Sequence, residues 1–269
     1  LHGGIGERAA GDIDLWIDEA NLSQIHQLLL KTGHSPKTSY AELSPHYQEL
    51  YRKRKFHIGF LHRSSGISVE LHWRIGGTKP LFPLTFSEAY RRSRPTVIAK
   101  TEYRTLNNLD NLLFLHIHAA RHLWERLFWL HDLAVFHQSP SAQSIEEVVD
   151  LAKSWRIDRP VLAGLMIVQE LFDLEIPETM PLESNGQKLV QSGFAQLYRP
   201  LNRLGKISST EALLSNWRMH PGWPHRKAVL ADWLSAPDDW HRLPLPDHLV
   251  GLYSLARPYT RLLRERSHK

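Results

Sequence analysis

The chain has 269 residues, of which 42% are hydrophobic and 23% are charged, and its formal net charge is +5 when the histidines are neutral. This composition is typical of a globular protein and excludes a largely disordered or collagen-like chain. Because there is no cysteine, the sequence also excludes disulfides, thiolate nucleophiles, zinc ribbons and iron–sulfur clusters. We expect neither haem nor flavin as a cofactor.

The sequence contains no segment typical of membrane or secreted proteins. No apolar run is long enough to span a bilayer. Arg8 and Asp12 come too early to leave room for the apolar part of a signal peptide. We therefore expect a cytoplasmic protein without a membrane partner. The first residue is Leu1 rather than a methionine, so the natural chain could begin further upstream.

Strand-like and helix-like segments alternate up to about residue 106. Period-two alternation predicts a first strand, with Ile13, Leu15 and Ile17 on one side and two aspartates on the other. Two further strands flank a turn that contains Gly66 and predict a hairpin. In chain order, the predicted elements are a strand over 11–17, a helix over 19–31 with Leu22, Ile25, Leu28 and Leu29 on its apolar face and a stop at Gly33, a helix over 40–53, hairpin strands over 55–61 and 67–73, and a strand or extended connection over 96–106.

Mostly helical patterns follow residue 106. Asn107 or Asn108 can cap a helical region that reaches His137, with apolar residues at helical spacing along one face. Further helices are predicted over 144–155, 159–174, 183–197 and 249–266, whereas prolines among four tryptophans favour an irregular stretch over 215–247. We therefore predict an α+β protein with one domain over 1–106 and a mainly helical domain over 107–269.

Three acidic residues form the most informative pattern in the sequence. Asp12 and Asp14 are two positions apart on a predicted strand, so their side chains point to the same side and can converge on one divalent cation or bridge two. Glu70 supplies a third carboxylate if its strand pairs with theirs. Mg²⁺ prefers such hard oxygen ligands, with substrate phosphates and water completing its octahedron. The alternative is a solvated Asp-x-Asp that occurs by chance.

Two residues near the aspartates could contribute to binding a phosphate. Arg8 could bind a phosphate oxygen or relieve part of the negative charge of the carboxylates. Gly11 has no Cβ and would let a phosphate or a neighbouring backbone come close.

His118 and His122 lie one helical turn apart, which is a spacing that suits a metal ion. A zinc site would need a third ligand such as Glu125, and Ala119 occupies the position where a zinc protease has its glutamate. Alternatively, the two histidines line the junction of the two domains together with Trp129, or they close one wall of a substrate cleft. The residues alone leave these interpretations open.

Two basic clusters, at 51–55 and 90–94, could attract phosphate or nucleic acid. Neither cluster has the aromatic interleaving of a surface that binds single strands, and a solvated surface is the alternative. Binding of nucleic acid is therefore possible, but no sequence motif specifically indicates it.

The first fifteen residues, LHGGIGERAAGDIDL, contain the first of several motifs that resemble a known family. This segment resembles the acidic-motif region of the bacterial uncharacterised nucleotidyltransferase family, part of the DNA polymerase β-like nucleotidyltransferase superfamily. As in the family pattern, Arg8 stands four residues before Asp12, and Gly33 closes the following helix. The later motifs match at Glu70, Leu71, His72 and Trp73 and at His118, His122, Arg126, Leu127, Trp129 and Asp132. The resemblance covers about the first half of the chain.

The resemblance implies a small mixed sheet flanked by helices, followed by a helical domain. It also implies that Asp12 and Asp14 bind Mg²⁺ in a two-metal site with Glu70 as the third acid, so these three are the expected catalytic residues. The expected substrates are an NTP and an unidentified acceptor. The expected substrate-binding residues are Arg8, Gly11, His72, His118 and His122.

One departure from the family pattern leaves a second hypothesis open. In the superfamily, a glycine-containing motif that holds the nucleotide phosphates lies well before the acidic pair. Only eleven residues precede Asp12 here, and Gly3, Gly4 and Gly6 are poor replacements. Either the chain is a fragment, or it has lost the phosphate cradle and is a catalytically inactive binding or regulatory module.

Overall fold

The computed structural model describes residues 11–139, 143–177, 180–200, 207–234, 237–243, 245–255 and 257. The strands are β1 (Ile13–Trp16), β2 (His34–Pro36), β3 (His57–His62), β4 (Ser68–His72), β5 (Arg94–Ile98) and β6 (Thr101–Thr105). The helices are α1 (Leu22–Lys31), α2 (Pro45–Arg54), α3 (Phe86–Arg92), α4 (Asn108–Arg121), α5 (Leu127–Gln138), α6 (Ile145–Ser154), α7 (Asp158–Phe172), α8 (Ser184–Leu197), α9 (Ser209–Met219), α10 (Trp223–Leu234) and α11 (Pro237–Arg242). The protein is α+β, as predicted.

The main sheet is mixed and has four strands in the order β1-β4-β3-β2. β1 runs parallel to β4, whereas β3 pairs antiparallel with β4 and with β2. β3 and β4 form the predicted hairpin, and Gly66 in its turn has a φ of +70°, a conformation that glycine adopts readily. β5 and β6 form a separate antiparallel ribbon. The sheet therefore places the strand of the two aspartates beside the strand of Glu70.

One face of the main sheet packs against α1 and α2 and forms the first of two cores. Ile58, Phe60, Val69 and Leu71 point to this face and are buried there. Since side chains alternate along a strand, the residues between them point to the opposite face. That opposite face carries the polar residues of the candidate site.

The apolar side of β1 is less buried than its alternation predicted. Ile13 and Leu15 are 50% and 40% exposed, because β1 lies at the edge of the sheet and α1 and α2 leave these side chains partly uncovered. Ile17 is buried, in agreement with the prediction. On the predicted apolar face of α1, Leu28 is exposed.

The second core is built from α4 to α9 and from the loop that follows β4. Leu112, Leu130, Val161 and Leu189 are completely buried in this core. It lies on the far side of the candidate site from the first core, and Trp16 of β1 packs against it. Among the described residues, no helix combines the length and the apolar character that crossing a bilayer requires.

The prediction of one helical region up to His137 is wrong, because the chain breaks between α4 and α5. Leu123 and Trp124 have φ angles of 54° and 50°, in the left-handed region that ends a helix. Asn107 caps α4 as predicted, with its side-chain oxygen accepting from the backbone N–H of Asp110.

The prediction of an irregular stretch over 215–247 is also wrong, since α9, α10 and α11 occupy most of it. Pro224 and Pro237 lie in the first turns of α10 and α11, where a missing N–H costs nothing. The predicted helix over 249–266 lies mostly outside the described residues, and the described part contains a 3₁₀ helix at Asp247–Leu252.

The C-terminal helices return to the first core. Trp240 and Tyr253 lie 5.3 Å and 6.2 Å from the ring of Tyr47 on α2, between ring centroids. The hydroxyl of Tyr47 donates to the carbonyl of Leu245 at 2.9 Å. Residues from both parts of the chain therefore build the first core, and the division at residue 106 stays a prediction.

An ion pair between the exposed Arg92 and the buried Asp110 joins α3 to α4. Asp110 is completely buried, and its Oδ1 accepts from Arg92 at 2.5 Å while Oδ2 accepts from Asn107 at 2.7 Å. Burial raises the pKa of Asp110, and the charge of Arg92 lowers it.

Replacing Arg92 with methionine is expected to destabilise the protein by about 1.5–3 kcal/mol at neutral pH, since the buried carboxylate of Asp110 loses a charged hydrogen-bond donor. The pKa of Asp110 in the folded state would then rise further above its value in the unfolded chain. The variant should therefore be most stable in acid and should lose stability as the pH rises through the folded-state pKa of Asp110. Urea denaturation of both proteins across this pH range measures the difference.

Arg91→Met provides a matched control, because Arg91 is exposed like Arg92 but forms no ion pair with the described residues, and its replacement should cost less than about 0.5 kcal/mol. A loss of stability in Arg92→Met that is the same in acid and at neutral pH would contradict this account of the pair.

Candidate metal centre

The pairing of β1 with β4 brings the predicted acidic residues together. Asp14 lies beside Glu70 in the parallel register, and Asp12 precedes Asp14 by two positions on the same side. Carboxylate oxygens of Asp12, Asp14 and Glu70 all lie within 4.8 Å of one another. We call these three residues the acidic triad.

His72 links two members of the acidic triad. Its Nε2 atom lies 3.0 Å from Oδ1 of Asp14 and 3.2 Å from Oε2 of Glu70. Burial lowers the pKa of His72, but its hydrogen bonds to the two carboxylates outweigh burial and raise the pKa to about 9. His72 is therefore an imidazolium near pH 7, and it donates to the acids beside it.

His57 belongs to the same face and was missed in the sequence. Its Nε2 atom lies 3.6 Å from Oε2 of Glu70, and His57, Glu70 and His72 form a second group whose ligand atoms lie within 4.8 Å of one another. Burial lowers the pKa of His57 to about 4, so this imidazole is neutral. The hairpin register, which pairs His57 with His72, could have identified it.

Lys37 adds a positive charge near the acidic triad. Its Nζ donates to the hydroxyl of Ser68 at 2.6 Å. Gly59 pairs with Glu70 and leaves room for the side chain of Lys37, since a Cβ on Gly59 would lie 3.2 Å from Cδ of Lys37. The hydrogen bond to His72 lowers the pKa of Glu70, and the charge of Lys37 lowers it further.

Asp12 has no hydrogen bond or ion pair with the described part of the chain. Partial burial and the negative charges of Asp14 and Glu70 raise its pKa. A divalent cation between these oxygens would relieve the repulsion, and carboxylate oxygens are the ligands that Mg²⁺ prefers. The residues present therefore fit a divalent metal, while His72 supplies the positive charge next to Asp14 and Glu70 in this structure.

The end of α4 brings His118 and His122 near the acidic triad. The negative charges of Asp14 and Glu70 act on His118, although burial dominates and lowers its pKa to about 4. Burial also lowers the pKa of His122 to about 3, so both imidazoles are neutral near pH 7. They can each offer one hydrogen-bond donor and one acceptor.

Trp129 of α5 packs against both histidines. Its ring lies 5.0 Å from that of His118 and 5.1 Å from that of His122, between centroids. Within the described ranges, His118, His122 and Glu125 do not form a group of metal ligands, so the structure gives no support to zinc at this place. The two histidines and Trp129 form an aromatic surface beside the acids.

The structure does not test the predicted phosphate-binding roles of Arg8 and Gly11. Arg8 lies outside the described residues. Gly11 is exposed, and a Cβ built on it would meet no atom within 4 Å. The predicted role of each in phosphate binding stays a prediction.

The acidic triad is reachable from solvent. The side chains of Asp14 and Glu70 are 45% and 25% exposed, and Asp12 is also exposed, whereas the side chain of His72 is only 7% exposed. Such an arrangement can bind a hydrated cation on its open side while buried imidazoles hold the carboxylates from behind. A cation held there could in turn bind phosphate oxygens.

Comparison with known proteins bears on this geometry. No curated protein and no solved structure matches the chain. A family model described as uncharacterised nucleotidyltransferase matches residues 1–173, which is more than half of the chain. The matched part includes the acidic triad, His57, His72 and the two histidines of α4. With this extent of match, the chain belongs to the uncharacterised nucleotidyltransferase family.

Proposed function

We propose that the protein is a Mg²⁺-dependent nucleotidyltransferase that transfers a nucleoside monophosphate from an NTP to an acceptor. One observation carries the proposal: the three carboxylates of the acidic triad lie within 4.8 Å of one another, on one face of the sheet, in a chain of a nucleotidyltransferase family. Nucleotidyl transfer needs such a concentration of negative charge to hold divalent cations against a triphosphate.

In the proposed reaction, an oxygen of the acceptor forms a bond to the α-phosphorus of the NTP. The bond from this phosphorus to the bridging oxygen of the β-phosphate breaks, and pyrophosphate leaves with the electron pair. We assign Asp12, Asp14 and Glu70 as metal ligands, and Glu70 also as the group that takes the proton of the acceptor hydroxyl. Bound Mg²⁺ would lower the pKa of that hydroxyl and stabilise the charge of the leaving pyrophosphate.

The remaining predicted residues receive binding roles in this proposal. His118 and His122 contact the substrate as neutral donors and acceptors on the wall of the cleft. His72 contributes to substrate binding indirectly, because it orients the carboxylates of Asp14 and Glu70 that it already touches. Arg8 and Gly11 bind the phosphates from the segment before β1.

Calorimetric titration with each common NTP tests the donor half of the proposal. We expect binding of at least one NTP in the presence of Mg²⁺, and no detectable binding by an Asp12→Asn/Asp14→Asn double variant. Asp150→Asn is the matched control, since Asp150 is an exposed acid on α6. Equal NTP affinity in the wild type and the double variant would contradict the assignment of the aspartates.

Release of labelled pyrophosphate tests the chemical step. We expect Mg²⁺-dependent release from the same NTP, and none in EDTA. Magnesium-dependent NTP binding without pyrophosphate release, over a broad panel of acceptors, would instead support the inactive binding module.

A further inference from the structure

A pocket of about 640 Å³ lies next to the candidate metal centre. Its walls come from the end of α2, from the loop after β4, from the end of α4 and from α9 and α10. The walls from α9 and α10 lie beyond residue 173 and hence outside the family match. A volume of this size suits a small molecule rather than a polymer.

Positive charge dominates the lining of this pocket. Arg74, Lys79, Arg121 and Lys227 line it and form no ion pair with the described part of the chain. The acid that lines it, Asp232, is bound to Lys55 at 2.8 Å. The pocket therefore carries an excess of cationic groups, and four of them have no direct carboxylate partner in the described part of the chain.

Arg121 occupies a specific position in the wall. Its guanidinium lies over the ring of Phe56, 4.5 Å from the centroid. Gly77 leaves the space on its other side, since a Cβ there would lie 2.7 Å from Nε of Arg121. Contact with an aromatic face and a glycine holds the guanidinium in place and leaves its N–H groups without a hydrogen-bond acceptor in the described chain.

Arg74 is held in a different way. One of its nitrogens, Nη2, donates to three backbone carbonyls, those of Arg52, Lys53 and Lys55, at 2.6–3.0 Å. These bonds fix the side chain without neutralising its charge, because carbonyls carry none. Two fixed guanidinium groups, with lysines on mobile stems nearby, are suited to recognising phosphate.

Phe56 and Arg121 connect the pocket to the candidate metal centre. Phe56 and Arg121 line the pocket, and the ring of Phe56 lies 4.6 Å from that of His57 and 5.9 Å from that of His72. The charges of Asp232 in the pocket and Glu70 in the acidic triad both act on Arg121. A molecule in the pocket would therefore lie next to Phe56, whose ring contacts the two histidines beside the carboxylates.

We infer that this pocket binds the phosphate group of a small phosphorylated acceptor, whose hydroxyl receives the nucleoside monophosphate. The inference rests on the proposed function, because it assigns the second substrate of the same reaction. The acceptor keeps its own phosphate, its hydroxyl oxygen forms the bond to the α-phosphorus, and pyrophosphate is the leaving group. Arg74, Lys79, Arg121 and Lys227 bind the acceptor and take no part in the bond changes.

Binding of inorganic phosphate in EDTA tests the pocket without the metal centre. We expect a Lys79→Gln/Lys227→Gln variant to bind phosphate at least about tenfold more weakly than the wild type, since it loses two charged hydrogen-bond donors. Both lysines are exposed, so the variant should fold. Lys31→Gln/Lys188→Gln is the matched control, because it removes the same charge from exposed positions elsewhere. Equal phosphate affinity in the two double variants would overturn the inference.

Titration with Mg²⁺ and NTP separates the acceptor from the donor. If the pocket holds the acceptor, the NTP affinity of Lys79→Gln/Lys227→Gln should stay within about twofold of the wild type. A parallel loss of NTP affinity would mean that the pocket holds the donor triphosphate, and displacement of phosphate by an oligonucleotide at far lower concentration would mean a nucleic-acid site. Either result would overturn the inference.

The same titrations distinguish a failure of this inference from a failure of the proposed function. Wild-type NTP affinity in Asp12→Asn/Asp14→Asn would contradict the metal centre, whatever the phosphate results. Loss of NTP binding in that variant, together with unchanged phosphate binding in Lys79→Gln/Lys227→Gln, would overturn the acceptor pocket alone.

Discussion

Asp12→Asn is expected to lower the rate of nucleotidyl transfer by at least about 100-fold without destabilising the metal-free protein. Activity is lost because the substitution replaces one of the three negatively charged metal ligands of the acidic triad with a neutral amide. The retained stability follows because partial burial and the negative charges of Asp14 and Glu70 raise the pKa of Asp12 and make its ionised form unfavourable. Pyrophosphate release and the thermal midpoint in EDTA measure the two effects.

Asp150→Asn serves as the control for both measurements, because it removes an exposed acid that lies away from the sheet. It should leave pyrophosphate release unchanged. A thermal midpoint of Asp12→Asn well below that of the wild type in EDTA would contradict the view that the carboxylates repel each other.

Trp124→Ala is expected to destabilise the fold by about 3–5 kcal/mol, the usual cost of removing a large buried aromatic side chain. Trp124 is completely buried between α4 and α5. Its indole packs closely against α7 and α8, since a Cβ at Gly164 would lie 3.5 Å from its Nε1 and one at Gly193 would lie 2.9 Å from its Cε3. Truncation would leave a cavity between helices that cannot collapse without moving their backbones.

Urea denaturation measures the loss, with Leu127→Ala as the control. Leu127 begins α5 and is 57% exposed, so its truncation should cost less than about 0.5 kcal/mol. A similar change in both variants would show that Trp124 does not hold the two helices in the core. Because α5 carries Trp129 to His118 and His122, NTP affinity in Trp124→Ala should fall as well.

The sequence was most informative where a short-range pattern determines local structure. Alternation along 11–17 and 67–73 predicted β1 and β4, and it placed Asp12 and Asp14 on one side of the first strand and Glu70 on the second. β2 was missed, because His34–Pro36 has only three residues, too few for a period to be recognised. The acids could be expected to meet once the two strands were assumed to pair.

The break between α4 and α5 could not be recognised by periodicity. The apolar stripe continues through Leu123 and Leu127, while the backbone of Leu123 and Trp124 turns into the left-handed region. The break is stabilised by the burial of Trp124, which depends on helices far away in the sequence. Prolines caused the opposite error in α10 and α11, since a proline at a helix start resembles one in a loop.

Long-range packing explains what was missed around the candidate site. Arg121 was assigned no binding role in the sequence, and its position depends on Phe56 and Gly77, which are distant in the chain. The pocket that it lines exists because α9 packs against α4 and α10 packs against α2. Neither arrangement has a local sequence signal.

Manganese binding, measured by electron paramagnetic resonance with a non-hydrolysable NTP analogue, tests the central claim most directly. That claim is that Asp12, Asp14 and Glu70 hold divalent cations together. We expect two bound Mn²⁺ ions per wild-type chain and loss of both from a variant in which all three acids are replaced by their amides. If that variant binds as many Mn²⁺ ions as the wild type, and with the same affinity, the acidic triad is not the metal site.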